Sequence, residues 1–557
     1  MAPLTWDALE PRLQELLDRP LAAPDVAAFL VDVDAIAREV WEAYAGLMRA
    51  KDEDTSDEAA AAAFLAFVQD VLPRLEPISD ALNRKLLAVP EYAPPADLQP
   101  AWADLNDTVA LYRETNVPLN AEEQGLRQRY GAIAGRTRVV LDGTEVTVAA
   151  ARAKLEANER DLRERAWRAI EAGKEAQRAD LDALFLEFVR LRARIAKNAD
   201  LPDYRAYAWR ERHRREYTPD DALAFHEAVA SEVVPRLRAR NERRRERMGV
   251  ATLRPWDTAA DPDGRPPLKP FTTAAELEAG LQRLFHALDP DLGSAFDLLV
   301  GGWMDLEPRA NKVPGLGYQS YFPVSKRPYV YWSAVGTDDD LLTMRHEAGH
   351  AFHSVLTERA WPLVKHACQH PEMNEFASEA MELLTLPLLE RERGGFYDAA
   401  DAARSRTRLL ERAGGVLVSA STIDAIQHWI YAQDPHTLTI DAIDAAWTRI
   451  AERFDTGVDW TGLERARAKG WHIIHLFQFP FYYLEYAIAY LGALQLWERL
   501  DDDPAGALAG YKRALALGGT RPLDELFAAA GIEFRFDRAL VGRLADRVAA
   551  AMTEDAD

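Results

Sequence analysis

His346, Glu347 and His350 stand in the order H-E-x-x-H within DDDLLTMRHEAGHAFHSVLTER, residues 338–359. On a helix, positions i and i+4 share one face, a turn apart. Two imidazoles placed there reach one divalent ion at ~2.0–2.1 Å each. Glu347, beside the first of them, can touch a water held by the metal without ligating the metal itself, which is the placement of a general base. The competing reading is a buried helix whose histidines only make hydrogen bonds.

The stretch must first be a helix. Leu341, Arg345, Ala348, Phe352 and Val355 recur at spacings of three and four, the helical period. Asp338, Asp339 and Asp340 suit its start, as cap and as charge at the positive end of the dipole. Gly349 costs about 1 kcal/mol relative to Ala in a helix interior, which predicts another element packed against the backbone there. Catalytic zinc takes three protein ligands and keeps one position open. The segment PEMNEFASEAMELLTLPLLE, residues 371–390, reads as a second helix with Pro371 near its start. Glu372, Glu375, Glu379 and Glu382 share one face of it, and spacing alone does not choose a ligand among them. A third histidine in the form HExxHxxGxxH needs Gly and His where this chain has His353 and Leu356, so that form is excluded. His353 is read as a supporting or packing residue. Imidazole and carboxylate ligands suit zinc best, with cobalt and manganese as alternatives.

Two aromatic stretches flank this pair of helices. Trp471–Tyr490, WHIIHLFQFPFYYLEYAIAY, mixes Tyr482, Tyr483, Tyr486 and Tyr490 with His472 and His475. It reads either as a core helix or as a source of hydroxyl and imidazole donors to a developing oxyanion. Gly315–Val335 carries aromatic and β-branched runs that predict two short strands leading into the metal helix. Such a strand either pairs with an extended peptide or is a plain hairpin.

The 557 residues allow three or four domains, or one interlocked helical unit. No apolar run reaches membrane-spanning length. The start MAPLTWDALEPRL lacks the basic and apolar segments of a signal peptide, so a cytoplasmic protein is expected. Cys368 is the single cysteine, which rules out an intrachain disulfide and fits a reducing compartment. Net charge is −23, from 67 basic and 90 acidic residues, which argues against nucleic acid or anionic membrane as partner. From Thr5 to about Tyr130 the pattern is helical, interrupted by the Pro-rich Pro90–Pro100, and reads as scaffold. Arg138–Val148 reads as a hairpin turned at Asp142-Gly143. The charged helix after it is expected to present a solvated face. Arg236–Arg247, RLRARNERRRER, is either an anion or substrate-carboxylate site or an exposed helix, the acidic whole favouring the latter. Ala251–Thr273 is a loop by composition.

Taken together, HEAGHAFH (346–353), EFASEAME (375–382), HLFQFPFYYLEYAIA (475–489) and GGTRPLDELFAAAGI (518–532) resemble the thimet-oligopeptidase-like M3 zinc peptidases, most closely their oligoendopeptidase F branch. RDLRERAWRA (160–169) also looks like that family, whereas the first 150 residues match only in being helical. The resemblance implies a mainly α, two-lobed, zincin-like fold with a deep channel and a few short strands near the active site. With the helical pattern read as a scaffold over 1–135, the resemblance implies a hairpin and helix of the oligopeptidase F N-terminal type over 136–200 and a catalytic region over 201–557. It implies one Zn2+ held by His346, His350 and Glu375, with Glu347 as general base. His475, Tyr482 and Tyr486 fall near the family's substrate- and oxyanion-contacting positions, with Tyr483 as competitor to the tyrosines. Glu379 and Glu382 would orient the ligand histidines, although Glu379 and Met381 depart from the small polar residue or Asn common there. The function implied is endopeptidase action on short unstructured peptides, with peptides as the partners. The alternatives are a helical HExxH carboxypeptidase and a non-catalytic peptide-binding protein with structural zinc. Oligomeric state is not readable from the residues.

Overall fold

A computed structural model of the chain describes residues 4–309, 311–312, 316–367 and 370–554; Cys368 lies outside them. Helices take up 69% of it and strands are few and short, so the fold is mainly α. Two apolar clusters organise the packing, one drawn from Leu9 to Leu105 and a larger one from Leu111 to Ala551. No helix among the described residues is long and apolar enough to cross a membrane.

Helix α1 (Val26–Glu53) belongs to the first cluster and reaches the second through Arg38, which bonds Asp34, Glu358 and the carbonyls of Pro323 and Pro362. Strands β1 (Val139–Leu141) and β2 (Thr144–Val146) form the expected hairpin, with Asp142 at φ 51° and Gly143 at φ 81° supplying the left-handed turn. The charged stretch after it is broken before α2 (Arg160–Glu175), and its face is not wholly solvated. Arg163 is buried and donates at 2.9 Å to Asp257, itself fully buried. The basic run forms α3 (Val234–Arg247), and it too is only partly exposed, since Arg244 is buried.

The small sheet has the order β3-β5-β4. Strands β4 (Tyr318–Phe322) and β5 (Arg327–Tyr331) are the antiparallel pair foreseen from composition. The two-residue β3 (Met304–Asp305), parallel to β5, left no trace in the sequence pattern. Strand β4 is an edge of the sheet and runs beside α4 (Asp338–Ala360), the helix that carries H-E-x-x-H. The cap of α4 is Thr337, which forms a capping box with Asp340, rather than the aspartate triplet itself. All five periodic residues of α4 are buried. Helix α5 (Pro371–Leu384) crosses α4 at Gly349, where a Cβ would lie 2.4 Å from the Ala377 carbonyl oxygen and 2.5 Å from Ser378 Cα. The glycine is there because the two backbones touch.

Helix α6 (Ala399–Tyr431) and helix α7 (Tyr483–Leu500) complete the surroundings. The aromatic stretch is not one helix. A short helix over Ile474–Gln478 ends in a turn with Phe481 at φ 61°, and only then does α7 begin. Phe481 N–H donates to Gln427, and Arg212 and Arg214 donate to the carbonyls of Pro480 and Phe481. These long-range bonds hold a backbone conformation that L-residues seldom adopt.

Candidate metal centre

Helix α4 presents His346 and His350 one turn apart, and α5 brings Glu375 opposite them. Their donor atoms lie within 4.8 Å of one another. Glu375 Oε2 is 3.5 Å from His346 Nε2 and 3.7 Å from His350 Nε2. Each of the three is gripped by its other end. His346 Nδ1 sits 2.8 Å from Glu382 Oε1, whose Oε2 accepts from the Tyr490 hydroxyl at 2.6 Å. His350 is bonded to the backbone of Asn374. Glu375 Oε1 accepts from the Tyr482 hydroxyl at 2.6 Å. One nitrogen of each histidine and Oε2 of Glu375, which accepts only a long 3.4 Å bond from Ser378, therefore face a common point, and two imidazole nitrogens with one carboxylate oxygen fit a zinc ion.

The charges are set by burial against partners. Burial opposes the ionised form of Glu375, but its hydrogen bond to His346 and the nearby imidazoles hold it below the usual carboxylate range. Burial likewise opposes ionised Glu382, and His346 outweighs it. Glu347 has no such help. Burial pushes its carboxyl up to about 7, with the Gln319 backbone as its hydrogen-bond partner, and its Oε2 has none. A carboxyl poised near neutrality suits a group that takes and returns a proton.

The four acids of α5 thus separate. Glu375 faces the common point and Glu382 backs His346. Glu379 is buried with Oε2 unpartnered, and burial drives its pKa well up. Glu372 accepts from Tyr217. His353 is buried with Nε2 unpartnered, and it stands outside the trio. His475 packs edge-on against Tyr483 at 4.5 Å between ring centroids and lies 6.0 Å from Tyr486, and burial lowers its pKa to about 4. Tyr482 spends its hydroxyl on Glu375, whereas the hydroxyls of Tyr483 and Tyr486 make no hydrogen bond among the described residues. Sequence reasoning placed Tyr490 only among the candidate oxyanion donors and gave no role to Asn374 or Gln319. Tyr490 was discoverable, because it follows Tyr486 by four residues, one turn further along the same helix. The other two act through position in space.

A helical frame with helix-borne imidazoles, an opposing carboxylate and an adjoining buried glutamate describes a metallopeptidase. A sequence profile of Peptidase family M3 matches residues 153–545, so the chain belongs to peptidase family M3 and is a metalloendopeptidase, a hydrolase of peptide bonds. In structure, Pz peptidase A solved with an inhibitor is similar at TM-score 0.90 and 22% identity, over 99% of this chain and 98% of that one. A protein described as an oligoendopeptidase F is similar at TM-score 0.90 and 24% identity, over 99% and 97%. Another so described, from Bacillus anthracis, is similar at 0.86 and 20%, over 99% and 97%. At these identities the likeness concerns the fold, and it takes in the N-terminal residues that the profile leaves out. No curated protein matches by sequence.

Proposed function

We propose that the chain is a zinc-dependent oligoendopeptidase that cuts internal bonds of short, unstructured peptides. The observation that carries this is the convergence of His346, His350 and Glu375 within 4.8 Å, with the unpartnered Oε2 of Glu347 alongside. When bound there, zinc supplies a Lewis acid for the scissile carbonyl and lowers the pKa of water to about 7. Glu347 Oε2 takes the proton of the attacking water and returns it to the leaving amide nitrogen. The Tyr486 hydroxyl donates to the carbonyl oxygen as charge develops on it. Tyr482 keeps Glu375 aimed.

The side chains of His346 and His350 are only 20% exposed, and that of Glu375 6%. A centre this deep is reached by an extended chain rather than a folded one. The edge strand β4 beside α4 offers backbone groups to such a chain. Cytoplasmic action on peptides, without nucleic acid or membrane as partner, fits the single cysteine and the net charge of −23.

A mixed peptide pool tests the reading, with peptides blocked at both ends and a folded protein included. Mass spectrometry should show internal cuts in the blocked peptides, none in the folded protein, arrest by a chelator and recovery with zinc. Release of C-terminal residues alone, with blocked peptides untouched, would turn the reading into a carboxypeptidase.

A further inference from the structure

A cavity of 570 Å³ opens between α3, α6 and the start of α4, lined by eight arginines and six carboxylates. Most of these charges cancel in place. Arg247 binds Asp263, Arg404 binds Asp261, and Arg408 holds Glu156. Glu411 lies 3.5 and 3.7 Å from Arg240 and Arg244. The arginines that the basic run of α3 sends to this wall are therefore already answered, and its candidate role as an anion site does not rest with them. Asp338 accepts from Tyr397 and Ser405. Arg345 is buried and donates to the Glu382 carbonyl and the Thr385 hydroxyl.

Arg412 stands apart. It projects from α6, lines the cavity and makes no ion pair among the described residues. The groups that act on its charge are Tyr490, whose hydroxyl donates to Glu382 behind His346, and the carboxylates of Glu382 and Asp339. A guanidinium carries five N–H donors in a planar fork. This fork lies between Tyr490, at the edge of the metal centre, and the cavity that Arg412 lines. Asp339 is the opposing charge. Its side chain is 64% exposed and lies 3.8 Å from Arg408.

We propose that this cavity is a carboxylate subsite of the peptide-binding cleft, with Arg412 as its anchor. It takes the C-terminal carboxylate of a bound peptide, or an Asp or Glu side chain near that end. A guanidinium fork matches a carboxylate in two parallel hydrogen bonds, and a deep cleft strengthens them. Asp339 faces the same space and limits the subsite to a single negative group. The proposal rests on the peptidase reading, and its test separates the two.

Three quenched peptides share one internal sequence. One ends as the free acid, one as the amide, and one as the amide with Glu in its last position. They are compared by kcat/KM on zinc-supplemented wild type, Arg412→Gln and Asp339→Asn. Gln keeps a donor for Tyr490 while removing the charge. Wild type should prefer the carboxylate-bearing peptides over the neutral amide by about tenfold, the worth of one charged hydrogen bond. Preference for the acid alone assigns the C-terminal carboxylate, and preference for the Glu peptide as well admits the side chain. Arg412→Gln should bring the ratio to within about twofold, and Asp339→Asn should widen it. Equal rates for all three peptides on wild type, or an undiminished preference in Arg412→Gln, overturn the proposal. Fluorescence anisotropy of labelled copies on Glu347→Gln and on Glu347→Gln with Arg412→Gln reads the same order without turnover. If wild type cuts nothing while binding still follows Arg412, the peptidase reading fails and the subsite stands.

Discussion

Glu347 Oε2 is buried without a hydrogen-bond partner, which makes its charge costly to keep. A buried carboxyl whose pKa rises to about 7 costs stability as pH climbs, because the folded state holds the proton more tightly than the unfolded chain does. That cost is tolerable only where the proton is used. Glu347→Gln preserves shape and leaves the three ligands in place but cannot accept a proton. We expect zinc content to be unchanged and kcat to fall by about 10³-fold, read by atomic absorption and initial rates. Near-normal turnover would remove Glu347 from the role. The tyrosines divide in the same way. The Tyr486 hydroxyl is uncommitted, so Tyr486→Phe should lower kcat about 10²-fold with zinc affinity intact. The Tyr482 hydroxyl is committed to Glu375 at 2.6 Å, so Tyr482→Phe should loosen zinc by about 10-fold or more in a chelator competition. If the two effects were reversed, the donor to the oxyanion would be Tyr482.

The crossing of α4 and α5 decides whether those residues meet at all. A methyl at Gly349 would collide with backbone, at 2.4 Å from the Ala377 oxygen, and backbone cannot swing aside as a flexible side chain does. Gly349→Ala should therefore destabilise by about 1–3 kcal/mol in urea unfolding despite the better helix propensity of Ala. It should also weaken zinc, because prising the helices apart lengthens the reach from Glu375 to both imidazoles. A stabilised variant with full zinc affinity would mean that the helices have room. This glycine could be read from sequence because a helix-breaking residue in a strongly periodic helix needs a reason. The same local logic found α4, α5, β4, β5 and the Asp142-Gly143 turn. It missed the cap Thr337, although Thr337 and Asp340 stand at capping-box spacing, because three aspartates drew the eye. It could not find the break at Phe481, whose φ of 61° is imposed by Gln427, Arg212 and Arg214 from 54 to 269 residues away. Nor could it choose Glu375 from four acids on one face. That choice is made by what lies opposite each of them: imidazoles for Glu375, Tyr217 for Glu372.

How the two apolar clusters are joined bears on the centre from a distance. Asp107, in the helix Gln99–Leu111, accepts from Arg210 at 2.9 Å and from Arg215, with His213 Nδ1 at 3.6 Å. Those three residues bracket Arg212 and Arg214, the side chains that hold the Pro480–Phe481 turn and so place Tyr482 and Tyr486. A charge cluster at the join of the N-terminal helices thus secures the segment that carries Tyr482 and Tyr486. Burial opposes the ionised Asp107, but the nearby His213 ring and the hydrogen bonds accepted from Arg210 and Arg215 outweigh burial, lowering its pKa from 3.8 to about 2. Because the folded value lies below the unfolded one, the ionised aspartate stabilises the fold at all pH above about 4. The contribution, about 2 kcal/mol for a side chain only 16% exposed, is lost as pH falls through the window from about 4 to about 2. Asp107→Asn should therefore unfold more easily than wild type at pH 7 by about this amount, and the gap in urea midpoint should close below pH 4. A gap that stays constant with pH would assign the loss to packing at this join rather than to charge. Asp104 still holds Arg215 at 2.7 Å in the variant, so the segment should loosen rather than detach. The kcat of Asp107→Asn should accordingly fall by less than that of Tyr486→Phe.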